Sequence, residues 1–210
     1  MNGIYRTFEN ICDIDTLQTH LSGMAFFIGL YENMVDMIEE RVEAFICDDF
    51  VLTQNDRLKY KHNDKYRKLI KNRIVDPKNN KDTLKASMLW FVDVGAITQE
   101  DYDLFLHLKD RRNSYTHQMS DHILKGLSDD DAHNLVALLG LYKKLDQWWI
   151  NEVEIPIAGD EVPGNYEREG VMSTAFMTFL MMFQTLYADK SEEYMNIINE
   201  VKRGFEEESE

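Results

Sequence analysis

The chain has 210 residues, 44% of them hydrophobic and 29% charged, enough to build one sizeable core. Its formal charge of −15 argues against indiscriminate nucleic-acid binding. Three prolines and ten glycines favour long helices over many short strands. Cys12 and Cys47 lack metal-ligand spacing and read as free thiols of a reducing, cytoplasmic protein. Residues 1–20 carry scattered charges and no long apolar run, unlike a signal peptide.

The first predicted element is a long helix. Leu17, Leu21, Met24, Ile28, Tyr31, Val35, Ile38, Val42 and Phe45 recur at alternating spacings of four and three. Phe27, Leu30, Met34 and Met37 add an adjoining stripe, and the combined face suits the central helix of a bundle. Between Arg57 and Lys85 stand eleven Lys or Arg and only three Asp, so this segment is +8 and the rest of the chain −23. Such a concentration fits a positioned polyanion, although a solvated face balancing the acidic body has the same composition. Lys65, Arg67, Lys68, Lys71 and Arg73 fall on a basic amphipathic helix predicted over Asp64 to Val75 and closed by Asp76-Pro77.

A short buried helix follows over Asp82 to Val94, ended by Gly95. Thr98 caps the next helix, with Asp101 in its first turn, and that helix carries Tyr102, Phe105, Leu106 and Leu108 toward Arg111-Arg112. Ser128 and Asp129–Asp131 start another, along which Leu135, Leu138, Tyr142, Leu145 and Trp149 repeat until Pro156. Pro156 to Glu169 reads as a loop, and two helices close the chain, one over Met172–Ala188 and one from Ser191. Gly170 to Ala188 is uncharged and approaches spanning length, but Ser173, Thr174, Thr178, Gln184 and Thr185 interrupt it. It reads as a core or dimer-interface helix. No strand is predicted. The expected fold is all-α, an up-and-down bundle in one domain (residues 1–210) with a core over 14–155 and C-terminal helices over 170–205.

Within this pattern, Arg112-Asn113-Ser114-Tyr115-Thr116-His117 brings together a guanidinium, a carboxamide and an imidazole. Arginine holds phosphate bidentately, and histidine moves protons near neutrality. Nine arginines and six histidines produce an Arg followed by His at this spacing about once by chance. Arg57 and His62 are such a pair, inside the lysine-rich segment, where Leu58 follows the arginine and offers a phosphate nothing. Asn113 can donate to a phosphate oxygen, so the second pair is the stronger candidate.

An Arg, a polar residue, three more and a His, at a junction of helices in a small bundle, resembles the HEPN superfamily, over about residues 14–155. The resemblance implies a metal-independent endoribonuclease of toxin or antiviral-effector type, acting as a homodimer whose two motifs share one cleft. Arg112, Asn113 and His117 take the catalytic positions, and no cofactor is implied. Some toxin members carry a tyrosine two residues after the histidine, modified by a partner enzyme; here that position is Met119. RNA (tRNA or mRNA), a second copy and an antitoxin or regulatory protein are the expected partners, with no membrane. Arg111 and the basic segment would contact RNA, with Tyr115 stacking on a base or simply packing.

Two other functions fit the composition. A helical adaptor of HEPN-like shape would use Arg112 and His117 to hold structure or bind a nucleotide. A metal-dependent hydrolase would draw on His107, His117, His122 and His133 with nearby aspartates, yet no pair repeats a recognised ligand pattern.

Overall fold

A computed structural model describes residues 2–53, 58–159 and 162–188. Helices dominate, as the apolar periodicity predicts. Two compact units are present, Met1–Leu145 and Asp146–Glu210.

In the first unit, α1 (Asn2–Cys12) precedes the long α2 (Ile14–Ile46), which begins where Asp13 accepts from the Thr16 amide at 2.8 Å. Met24, Phe27, Leu30, Tyr31, Met34, Ile38 and Val42 are buried, so the core face of α2 combines the predicted seam and its adjoining stripe. Leu21 and Phe45, at the ends of the seam, are exposed.

The structure departs from the predicted elements next. Strands β1 (Asp49–Leu52) and β2 (Leu58–Lys61) form an antiparallel hairpin where none is expected. The strands are only four residues long and, apart from half-buried Tyr60, exposed on both faces, so no buried alternation announces them. Arg57, half of the weaker Arg-His pair, lies outside the described residues. The predicted basic helix is also shorter: α3 (Asp64–Tyr66) passes into a π-helical turn, Arg67–Lys71, and ends there. Tyr66 and Ile70 are its buried anchors.

Helix α4 (Thr83–Asp93) starts at Asp82, whose carboxylate accepts from the Lys85 amide at 3.0 Å. Helix α5 (Gln99–His117) starts on a reciprocal cap: Thr98 Oγ accepts from the Asp101 amide, and the Asp101 carboxylate accepts from the Thr98 amide. The two helices run antiparallel, since Lys109, in the second half of α5, reaches back to Asp82 at 3.1 Å. Both pack on α2, where Tyr31 stacks on Phe105 (6.1 Å, 13°) and Phe27 meets Tyr115 edge-on (5.2 Å).

After Gln118 the chain turns into α6 (Met119–Lys125), an element the periodicity does not announce, which packs on α1, α2 and α5. Gly126 ends it at φ 77° and ψ 159°, a conformation reserved in practice for glycine. A Cβ there would lie 2.9 Å from His20 Nε2 and 3.0 Å from Asn10 Nδ2. The absence of a side chain therefore lets α1 and α2 close on this corner. Helix α7 (Asp129–Trp149) buries Leu135, Leu138, Leu141, Tyr142 and Leu145, and Tyr142 donates to Asn33 Oδ1 at 2.6 Å.

In the second unit the last turn of α7 passes through a π-helical stretch, Ile150–Glu154, into α8 (Ile155–Ala158). The helix thus continues past Pro156, where the sequence predicted its end. Proline lacks an N–H and crowds the carbonyl four residues back, and the wider preceding turn accommodates it in the first turn of α8. Helix α9 (Thr174–Tyr187), capped by Ser173, falls within the predicted Met172–Ala188. Among the described residues Phe176 is its one buried side chain, while Met177, Met182, Leu186 and Tyr187 are exposed, so it is not a core helix. The predicted helix from Ser191 lies outside the described residues. Among the described residues no helix is long and apolar enough to cross a membrane.

Candidate functional site

The last two turns of α5 hold the whole Arg112–His117 set. At about 100° per residue, Asn113, His117 and Ser114 occupy an arc about 100° wide, with His117 between the other two and one turn further along. Arg112 stands on the neighbouring core-facing side, on the row of Phe105, Leu108 and Tyr115 that packs against α2. Its guanidinium reaches out of that row in two directions. Nη1 donates to Asn113 Oδ1 at 3.1 Å, and Nη2 pairs with the Glu32 carboxylate of α2.

Asn113 is thereby oriented, with its carbonyl on the arginine; among the described residues its Nδ2 has no partner. His117 is the last residue of α5 and exposed, and among the described residues its ring makes no hydrogen bond or ion pair. The arrangement offers an anion a guanidinium and a carboxamide, with an imidazole one turn away. Glu32 is the intramolecular anion that now holds the guanidinium.

Arg111 and Tyr115 belong to a different network. Asp131, at the start of α7, pairs with Arg111 and accepts the Tyr115 hydroxyl at 2.5 Å. It also accepts both the amide and the hydroxyl of Ser128 at 2.8 Å. Burial alone would raise the Asp131 carboxyl, but the bonds from Tyr115, Ser128 and Arg111 outweigh it and hold it at about 2. Burial, then Asp131, pushes the Tyr115 hydroxyl up. At 2% exposed and with its hydroxyl engaged, Tyr115 packs the core and cannot stack on a base, contrary to the expected RNA role. Arg111 lies over that ring, 5.1 Å from its centre, and its partly exposed guanidinium ties α5 to α7 through Asp131.

Two further contributors come from other helices, neither of them assigned to this site from the sequence. One is Glu32, eighty residues away and unmarked by any pattern. The other is His122 on α6, whose Nε2 lies 2.8 Å from Ser114 Oγ. Its ring meets Tyr115 edge-on at 5.0 Å. Burial, then Arg111, lowers the His122 pKa below the usual 6.5.

The predicted basic contacts do not form one helix face with the motif. Lys65, Arg67, Lys68 and Lys71 are exposed on α3 and the turn after it, which pack on α2 and α4. Arg67 pairs with Asp64 at 3.1 Å. Arg73 is partly buried and grips Asp93 at 2.6 and 3.3 Å, at the C-terminal end of α4. Because α4 and α5 are antiparallel, that clamp sits about one α5 length from His117, roughly 28 Å along the axis.

Among the described residues no three His, Cys, Asp or Glu side chains gather as metal ligands. His107 instead contacts Asn134 Oδ1 at 3.0 Å. No protein-family model matches this chain, and no curated protein or solved structure is significantly similar to it.

Proposed function

We propose that this protein is a metal-independent endoribonuclease of the HEPN type, an effector of toxin or antiviral character acting on tRNA or mRNA in the cytoplasm. The observation that carries the reading is the pairing of Arg112 with Asn113 beside an exposed His117. RNA supplies its own nucleophile, so the protein needs only proton management and charge stabilisation. The ribose 2′-oxygen attacks phosphorus, and the bond to the 5′-oxygen breaks. Arg112 holds the non-bridging oxygens as charge builds, and Asn113 orients the phosphate or the histidine. His117 takes the 2′-hydroxyl proton or gives one to the leaving 5′-oxygen, and the second copy's His117 takes the complementary role. The products are a 2′,3′-cyclic phosphate and a 5′-hydroxyl. A homodimer with two-fold symmetry would gather two guanidinia and two copies of His117 in one cleft.

A second reading, a non-catalytic HEPN-like module that binds nucleotide, RNA or a protein partner, is favoured by one contact. Glu32 occupies the Arg112 guanidinium, as in a helix-to-helix ion pair of purely structural use.

Incubation with total tRNA and mRNA in EDTA, wild type beside His117→Ala, separates them. Cleavage by wild type alone, with cyclic-phosphate ends, is the expected result. Binding without turnover by the folded dimer would establish the module, and cleavage abolished by EDTA would establish a metal enzyme. Growth arrest on expression, relieved by Arg112→Ala, is expected of an effector.

A further inference from the structure

The arc that carries Asn113 and His117 ends at Ser114, and Ser114 is already engaged. Its Oγ is 2.8 Å from Nε2 of His122 and 3.4 Å from Oε1 of Gln118. Gln118 is the corner between α5 and α6, and its carbonyl accepts the His122 amide at 3.1 Å. The corner therefore folds α6 back so that its histidine reaches the α5 residue one turn before His117. Residues three apart on a helix have Cβ atoms about 5–6 Å from each other. One chain thus presents a hydroxyl hydrogen-bonded to one imidazole, with a second imidazole about one helical turn further along.

The second imidazole is held in place. Tyr115 packs edge-on against its ring, and Tyr115 is itself fixed by Asp131. Around His122, Arg111 on α5 and Lys125 on α6 disfavour its charged form, while Asp131 on α7 and Asp121 on α6 favour it. Burial is the largest influence and tips the balance toward the neutral ring, which can accept a proton. At the other end of α6, His20 of α2 takes the Leu127 amide on Nδ1 at 3.3 Å, beside Gly126.

Resting on the ribonuclease reading, we propose that Ser114 and His122 form the proton-accepting half of the site, complementary to His117 in the same chain. The 2′-hydroxyl proton passes to Ser114 Oγ as the Ser114 proton passes to His122 Nε2. The 2′-oxygen bonds to phosphorus, the phosphorus–5′-oxygen bond breaks, and protonated His117 gives its proton to the leaving oxygen. Exchange with water then returns His122 to neutral and His117 to its protonated form. The second copy's contribution to a shared cleft is then its guanidinium rather than its imidazole.

The test uses the full-length protein and a short single-stranded RNA carrying the wild-type cleavage site, with either a normal 5′-oxygen or a bridging 5′-sulfur at that position. Sulfur leaves without protonation, so this substrate bypasses the acid but not the base. On the normal substrate, His122→Gln should lower kcat about 10²-fold or more, with KM within about twofold. The low-pH limb of the rate profile should flatten. The sulfur substrate should restore cleavage by His117→Ala and leave His122→Gln slow. Ser114→Ala should slow cleavage, while Ser114→Thr, which keeps a hydroxyl, should recover much of it; this pair serves if His122→Gln folds poorly. The relay is overturned by a His122→Gln enzyme with the wild-type rate and pH limb, by sulfur rescue of that variant, or by Ser114→Ala and Ser114→Thr behaving alike. A wild-type protein that cuts no RNA overturns the ribonuclease reading itself.

Discussion

Arg112 on α5 and Glu32 on α2 form an ion pair at the helix interface, and the same guanidinium holds the Asn113 carboxamide at 3.1 Å. A carboxylate and a phosphate oxygen ask the same geometry of arginine. Glu32 therefore competes with the anion that the site would bind. The pair is partly exposed, with side chains 28% and 43% accessible, so exchanging one anion for another costs little.

Glu32→Gln keeps the shape of the side chain and removes its charge. Placed in a His117→Ala background to prevent cleavage, it should tighten binding of a short RNA about fivefold at low salt, as read by fluorescence anisotropy. Unchanged or weaker binding would make Glu32 a support for the arginine rather than its competitor.

The Asp131 network makes a separate prediction about stability. Asp131→Asn removes the charge beside a partly buried Arg111 and should lower unfolding free energy by about 3 kcal/mol in chemical denaturation. The sign with pH follows from the carboxyl being held near 2, below the ordinary 3.8. Its stabilisation is present in full above about pH 4 and is lost as pH falls from there to about 2. The wild type should lose stability more steeply than Asp131→Asn across that window; parallel curves would show that Asp131 is not a source of the acid sensitivity.

Two glycines with nearly equal φ should respond differently to alanine. At Gly126, φ 77°, the new Cβ would meet His20 and Asn10, whereas at Gly95, φ 76°, nothing lies within 4 Å. Gly95→Ala should cost about 1 kcal/mol from backbone strain alone. Gly126→Ala should cost about 2 kcal/mol or more and speed amide exchange in α1 and α6, because Asn10 also donates to the Leu124 carbonyl. Equal losses at the two positions would mean that the contact with His20 and Asn10 is easily relieved.

What the sequence made legible was local. The bundle core follows from apolar spacing on α2, α4, α5 and α7, and the start of α5 follows from Thr98 and Asp101, three residues apart. The hairpin was not legible because Phe50, Leu52 and Leu58 face solvent, so burial imposes no pattern on it. At the site, Arg112 and Asn113 are neighbours in the chain and were found together. Glu32 comes from another helix, and His122 joins only because Gln118 turns α6 back onto α5. Tyr115 differs from its expected role for the converse reason: Asp131 holds its hydroxyl in the core, and pairs with the partly buried Arg111, from a helix start that reads as an ordinary acidic cap.

The basic segment separates binding from folding. Lys68 and Lys71 are exposed, whereas Arg73 is committed to Asp93 through two hydrogen bonds. If RNA runs over this segment, Lys68→Glu and Lys71→Glu should each weaken binding across sequences. Each should also lower the salt dependence, d log K/d log[salt], by about 0.7 for a single-stranded ligand. Neither should shift the thermal midpoint by more than about a degree, since both side chains lie in solvent. Arg73→Ala should do the opposite, lowering the midpoint by several degrees through loss of the partly buried pair while the salt slope stays near wild type. A salt slope unaltered by both lysine changes would remove this segment from the RNA path and leave its charge as a counterweight to the acidic body.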